Sequence, residues 1–128
     1  MPIRRIMIVD DEADIVEVLT YFLHGKGYEI LKARDGREAL NTLQKATPDF
    51  IFLDLEMPHI SGYEVYHHLV NAPRFEKIPI VILTASSMSD HELKNLNKMK
   101  IAGWIQKPFE LTEIMDHIQK CLGPSADY

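Results

Sequence analysis

Cysteine is almost absent from this sequence. Cys121 is the only one, so no internal disulfide can form, and a reducing cytoplasm is the expected compartment. Tryptophan is as scarce, with Trp104 alone. There is no excess of positive charge either: 14 lysines and arginines stand against 19 acids, for a formal net charge of -5. That balance removes the electrostatic basis for gripping nucleic acid or an anionic membrane surface. Long apolar runs are missing. The run that follows Met1-Pro2-Ile3-Arg4-Arg5 is cut off at Asp10, too short for a signal peptide's apolar region with its cleavage site, or for a membrane span. No repeat, low-complexity tract or internal linker interrupts the chain. Its 128 residues, 46% of them hydrophobic, suit one compact core. That single domain is expected over residues 1–123, with 124–128 as a short tail after Gly123.

What the chain does contain is a regular alternation. Ile6-Met7-Ile8-Val9, Phe50-Ile51-Phe52-Leu53, Ile80-Val81-Ile82-Leu83 and, more weakly, Gly103-Trp104-Ile105 are continuous apolar runs, as parallel strands covered on both faces require. Tyr28 to Ala33 mixes in Glu29 and Lys32, as an exposed edge strand does. Helical spacing fills the intervals. Ile15, Val16, Leu19, Phe22 and Leu23 form one stripe, and Leu111, Ile114, Met115, Ile118 and Leu122 another. Gly25 and Gly27 close the first helix and Gly123-Pro124 the last. Ala39, Leu40 and Leu43, then Val65 and Leu69, then Leu93 and Leu96 mark three shorter helices. The pattern predicts an α/β fold, a doubly wound (βα)5 with a five-stranded parallel sheet and right-handed crossovers.

Such a sheet places its ligand site beyond the carboxyl ends of the strands, where the polar residues of this sequence gather. The first strand ends in Asp10-Asp11, the third in Asp54, the fourth in Thr84-Ala85-Ser86 and the fifth in Lys107-Pro108. Three converging carboxylates repel one another unless a counter-ion is present or their pKa values rise. A hard divalent cation with oxygen ligands relieves the repulsion, and magnesium suits acids that come without histidine or cysteine. Metal, Lys107 ammonium and Thr84 hydroxyl can each take one oxygen of a phosphoryl group carried by a carboxylate nucleophile.

Asp10-Asp11, Asp54-Leu55-Glu56-Met57-Pro58 with Gly62, Thr84-Ala85 and Lys107-Pro108 together resemble the signature of response-regulator receiver domains of two-component systems. The resemblance runs over essentially the whole chain and implies the flavodoxin-like strand order 2-1-3-4-5. It also implies phosphotransfer to Asp54 from a histidine kinase or a histidine phosphotransfer protein. By the same resemblance Asp11, Asp54 and the backbone carbonyl of Glu56 bind Mg2+, with Asp10 acting mainly through water. Thr84 and Lys107 hold the phosphoryl oxygens, and Trp104 takes the switch aromatic position three residues before the lysine. The fourth helix, fifth strand and fifth helix form the output face, through which a monomer or weak dimer signals to a separate protein. Such a domain is a signalling phosphoprotein that assists its own phosphotransfer and dephosphorylation, and not an enzyme. Two positions depart from the pattern. Glu56 puts a carboxylate beside the outgoing phosphoryl group, and Lys100-Ile101 stands where a Gly-Ala pair is common, so either Lys100 takes a positive-φ cap or the helix ends differently.

Plainer roles compete for the same residues. Asp10-Asp11-Glu12 suits an N-terminal cap with favourable charge at a helix start, Thr84 a turn residue, and Trp104 a packing residue. His67 and His68 are adjacent, so they point about 100° apart on a helix and do not share a metal. Cys121 is expected as a small packing group. Other functions compete too. A phosphorelay intermediate or phosphate sink would carry the same residues. An aspartyl-phosphate hydrolase of the haloacid dehalogenase type pairs acids two apart, as Asp54 and Glu56 are, but on its first strand and under a cap that has no counterpart here. A flavodoxin-like carrier needs a hydroxyl- and glycine-rich phosphate loop where Asp10-Asp11 stands.

Overall fold

The computed structural model of the chain describes residues 3–57, 60–85 and 88–124. Pro58, Ser86 and most of the expected tail, residues 125–128, lie outside the described residues. Strands β1 (Arg5–Val9), β2 (Glu29–Ala33), β3 (Phe50–Asp54), β4 (Ile80–Thr84) and β5 (Gly103–Gln106) alternate with helices α1 (Ala13–Gly25), α2 (Gly36–Lys45), α3 (Gly62–Asn71), α4 (Asp90–Lys98) and α5 (Leu111–Leu122). Every strand pairing is parallel, and the order is β2-β1-β3-β4-β5, as expected. The order switches between β1 and β3, which opens a crevice at their carboxyl ends. No helix among the described residues is long and apolar enough to cross a membrane.

Side chains alternate across a strand, and that alternation explains the continuous apolar runs. Ile6, Ile8, Phe50, Phe52, Val81, Leu83 and Ile105 face a core closed by α1 and α5 through Val16, Leu19, Leu23, Ile114 and Ile118. Met7, Val9, Ile51, Leu53, Ile80 and Ile82 face the opposite core, closed by α2, α3 and α4 through Leu43, Val65, Leu69 and Leu96. Neither face meets water, so no polar residue is needed in the strand interiors. β2 is the exception, as its edge position demands: Glu29 and Lys32 are exposed and only Ala33 is fully covered. Tyr28 precedes that strand and packs into the α1/α5 core.

The helices are stopped and started by local chemistry. Asp35 caps α2 by accepting a bond from the Glu38 amide at 2.8 Å, and Ser89 caps α4 through the Glu92 amide at 3.2 Å. Glu110 and Glu113 form a reciprocal capping box on α5. Positive φ occurs at Gly27 just after α1 and at Gly123 just after α5, where glycine accepts it without a Cβ penalty. After α4 no such cap is used. Met99 is extended at φ -81°, ψ 153°, and the Lys100 amide donates to the Tyr66 hydroxyl at 2.6 Å, so of the two outcomes expected for Lys100 the helix ends differently. Cys121 departs from its expected packing role. It is exposed in the last turn of α5, where Leu122 is the side chain that still leans on the core. A short 3-10 turn, Pro73–Phe75, was not expected from the sequence pattern; Arg74 pins it by donating to the Leu43 carbonyl at the end of α2.

Two glycines let the β3–α3 connection fold back tightly under the site. A Cβ on Gly62 would lie 2.1 Å from the Asp54 carbonyl oxygen and 2.6 Å from Leu55 Cα, and one on Gly36 would lie 2.4 Å from the Ile60 carbonyl oxygen. These neighbours are backbone and cannot step aside. Gly25, by contrast, has nothing within 4 Å of its would-be Cβ. Gly62→Ala is therefore expected to lower stability by ~1–3 kcal/mol through overpacking, whereas Gly25→Ala leaves it unchanged or raises it by ~0.4–1 kcal/mol. Urea midpoints of the two variants measured side by side check this, and equal effects would contradict the packing.

Candidate functional site

The period-2 alternation that builds the two cores also aims the polar residues at the strand ends. Asp10 continues the row of Ile6 and Ile8, Asp54 that of Phe50 and Phe52, and Lys107 that of Gly103 and Ile105. All three rows face the α1/α5 side, and each reaches the crevice where the helix cover stops. Thr84 continues the row of Ile80 and Ile82 on the other side. Its register partner is Gln106, and that of Ile82 is Trp104, so Thr84 and Trp104 share a sheet face.

Ligand oxygens of Asp10, Asp11 and Asp54 lie within 4.8 Å of one another. Asp10 is fully buried and Asp54 nearly so, while Asp11 is exposed. Each buried acid has one oxygen fixed by a backbone donor two residues on: the Glu12 amide donates to Asp10 Oδ1 at 2.8 Å, and the Glu56 amide to Asp54 Oδ1 at 3.0 Å. The Lys107 ammonium stands 2.9 Å from Asp10 Oδ2 and 3.6 Å from Asp54 Oδ2. The first contact is an ion pair that leaves Asp10 Oδ2 without a well-directed hydrogen bond. Thr84 is buried, and its hydroxyl reaches the Ile105 carbonyl only weakly, at 3.4 Å. Thr84 and Asp54 line one small cavity together with Glu56, Tyr63, Ala85, Met88 and Glu92. Trp104 is half-buried and leans on the α2/α3/α4 core.

Electrostatically the cluster is short of positive charge. Burial pushes the Asp54 carboxyl up to about 7; the Glu56 amide and Lys107 pull it down, and Asp10 adds to the rise. Burial raises Asp10 as well, against the opposing pull of Lys107. Burial alone would lower Lys107, yet its contacts with Asp10 and Glu12 outweigh that and raise it. Three carboxylates, an undirected buried oxygen and a donor set made only of hard oxygens fit a small divalent cation. Among the described residues no other group of acids, histidines and cysteines of this kind is assembled.

The alternative of a simple helix cap for Asp10-Asp11-Glu12 does not describe what these acids do. Glu12 is the N-cap residue of α1, yet its side chain makes no capping bond. It turns instead to Lys107, with Glu12 Oε1 at 2.9 Å from the ammonium. Sequence reasoning missed this contact, because Glu12 and Lys107 are 95 residues apart and nothing local couples them. Glu56 presents its amide to Asp54, and its side chain is exposed on the rim of the cavity.

Comparison with known proteins follows the same lines. Residues 6–119 match the model of the response regulator receiver domain. Response regulator GtcR of Aneurinibacillus migulanus is 32% identical over 116 residues, which are 91% of this chain and 46% of that protein. The chain thus spans about half the length of the first curated relatives it matches. Chemotaxis protein CheY4 of Vibrio cholerae superposes with a TM-score of 0.85 at 30% identity, covering 94% of this chain and 100% of that one. Response regulator TrrA of Thermotoga maritima, solved in complex with Mg(2+)-BeF, superposes with a TM-score of 0.79 at 33% identity, over 94% and 100%. With the family model matched along nearly the whole sheet and its helices, and the acids gathered at the switch point of that sheet, this chain belongs to the response regulator receiver domains, signalling domains of two-component systems.

Proposed function

We propose that Asp54 accepts a phosphoryl group from the phosphohistidine of a histidine kinase or histidine phosphotransfer protein, in a reaction that requires Mg2+. The observation that carries this reading is the gathering of Asp10, Asp11 and Asp54 oxygens within 4.8 Å, with the Lys107 ammonium against two of the three acids. Asp11, Asp54 and the Glu56 carbonyl would hold the ion directly and Asp10 through water. Bound there, magnesium supplies the positive charge that offsets the acids and the incoming phosphoryl oxygens. The complex of TrrA with Mg(2+)-BeF supports the same pairing of cation and phosphoryl mimic.

The chain's own residues do the rest. An Asp54 oxygen forms the new O–P bond while the P–N bond to the donor imidazole breaks and its electron pair stays on that nitrogen. The Glu56 amide, on Asp54 Oδ1, orients the carboxylate for in-line attack. Lys107 and Thr84 each take a phosphoryl oxygen, stabilising charge without moving a proton. Thr84 holds only a 3.4 Å bond to Ile105, so drawing it toward the phosphoryl group costs little. Its departure frees space on the face that it shares with Trp104, and the surface of α4, β5 and α5 carries the change to a separate protein partner. The domain, over residues 1–123, acts in this reading as a cytoplasmic signalling phosphoprotein that does not turn over a free substrate.

Acetyl phosphate is expected to label the protein only with magnesium present, and Asp54→Asn to abolish the label. Lys107→Ala and Thr84→Ala keep magnesium affinity but lose the response to phosphorylation, whereas Asp11→Ala loses the metal. Labelling in excess chelator, or equal loss of magnesium in all three variants, contradicts the assignment.

The raised Asp54 carboxyl sets a pH dependence in chelator. The folded protein keeps that proton up to about 7, while the unfolded chain releases it near 3.8. Between those values the native state binds more protons than the unfolded state, so the stability owed to Asp54 falls as pH rises and levels off above. The Tm of wild type minus that of Asp54→Asn should therefore decrease between about pH 4 and about pH 8, and saturating magnesium at the upper end should reverse the decrease. A difference independent of pH would show Asp54 ionised throughout.

Trp104, the only tryptophan, reports the switch. Beryllium fluoride with magnesium is expected to change its emission in wild type, and Thr84→Ala to diminish the change with metal binding intact. Emission and quencher access that stay identical in both states return Trp104 to a packing role.

A further inference from the structure

We propose that Glu12 is a positioning residue that holds the Lys107 ammonium away from Asp54 in the unmodified domain, and so sets how tightly the site takes a phosphoryl group. The proposal rests on the reading of Asp54 as phosphoacceptor. Lys107 has two short partners, Asp10 and Glu12, each at 2.9 Å, and one long one, Asp54 at 3.6 Å. The short pair draws the ammonium toward the β1 end of the crevice. A phosphoryl group on Asp54 recruits Lys107 only by taking it from one of these two acids.

The two acids are not equally easy to leave. Asp10 is fully buried, with its second oxygen tied to the Glu12 amide, so parting it from Lys107 would strand a buried charge. The Glu12 side chain is 58% exposed, and its carboxylate exchanges the ammonium for water at small cost. Its backbone is nevertheless held firmly. The amide is bonded to Asp10 Oδ1, the carbonyl accepts the Val16 amide in the first turn of α1, and the side chain is not spent on capping. The start of α1 therefore aims an exposed carboxylate at the Lys107 ammonium. Loss of the Glu12–Lys107 pair is part of the cost of engaging phosphate in wild type, and a variant without that pair is spared it.

Calorimetric titration of residues 1–128 with beryllium fluoride at saturating magnesium tests this. Glu12→Gln is expected to bind beryllium fluoride about two- to fivefold tighter than wild type, the range that partly exposed ion pairs supply. Asp14→Asn, which removes an equal charge from an exposed position in the same first turn, should leave the affinity unchanged. In a Lys107→Met background, Glu12→Gln should have no effect, because there is no ammonium left to release. Unchanged or weaker binding in Glu12→Gln overturns the proposal, as does tightening that persists without Lys107 or that Asp14→Asn reproduces. If wild type itself binds no beryllium fluoride and Asp54 takes no label, the phosphoacceptor reading fails and this proposal falls with it; normal labelling with an inert Glu12→Gln overturns this proposal alone.

Discussion

The structure turns on one ammonium placed among acids that the fold will not let apart. Lys107 touches Asp10 and Glu12 and approaches Asp54 at the carboxyl edge of the sheet. Two of those acids are buried deeply enough that burial raises their carboxyl groups. A single positive charge cannot neutralise the cluster, and that imbalance is what the proposed Mg2+ and phosphoryl group would offset. The chemistry proposed for the domain is the release of that imbalance.

The rest of the fold keeps the imbalance in place. Two cores, one on each sheet face, hold β1, β3, β4 and β5 in register, so that their last residues arrive side by side. Backbone amides of Glu12 and Glu56 pin one oxygen of each buried acid. Gly62 lets the chain after β3 pass against the Asp54 carbonyl. The residues proposed for the switch lie on the opposite sheet face. Thr84 has a weak hydroxyl bond, Trp104 is half-buried, and α4 ends without a positive-φ cap, its following loop bonded to α3 from the Lys100 amide to the Tyr66 hydroxyl and to β4 from the Ala102 amide to the Ile80 carbonyl. Acids and lysine thus sit on the face closed by α1 and α5, and the residues proposed for the switch on the face closed by α2, α3 and α4.

Much of this was legible in the residues themselves. Continuous β-branched runs require strands covered on both faces, and helical stripes between them require crossovers, so the parallel sheet and its ligand edge follow from two periodicities. Asp10, Asp11, Asp54, Thr84 and Lys107 are legible as a group because each lies at the carboxyl end of a strand or within two residues of it. Short-range geometry was harder. The 3-10 turn at Pro73, the extended Met99 after α4 and the exposure of Cys121 depend on what each segment meets in space, which spacing along the chain does not record. Glu12 is the clearest case. Its position at a helix start suggested a cap, and only the folded chain brings Lys107 within 2.9 Å and gives the carboxylate a different partner.

The sequence by itself determined the architecture, the gathering of acids and lysine at the strand ends and the excess of negative charge there, because all three depend on residue type and on position relative to strand ends. The tertiary structure alone decided how that charge is shared: which acid is buried, which oxygen is pinned, and which carboxylate holds the lysine. Burial and distance set the strength of an electrostatic contact, and both arise only when segments far apart in the chain close on one another.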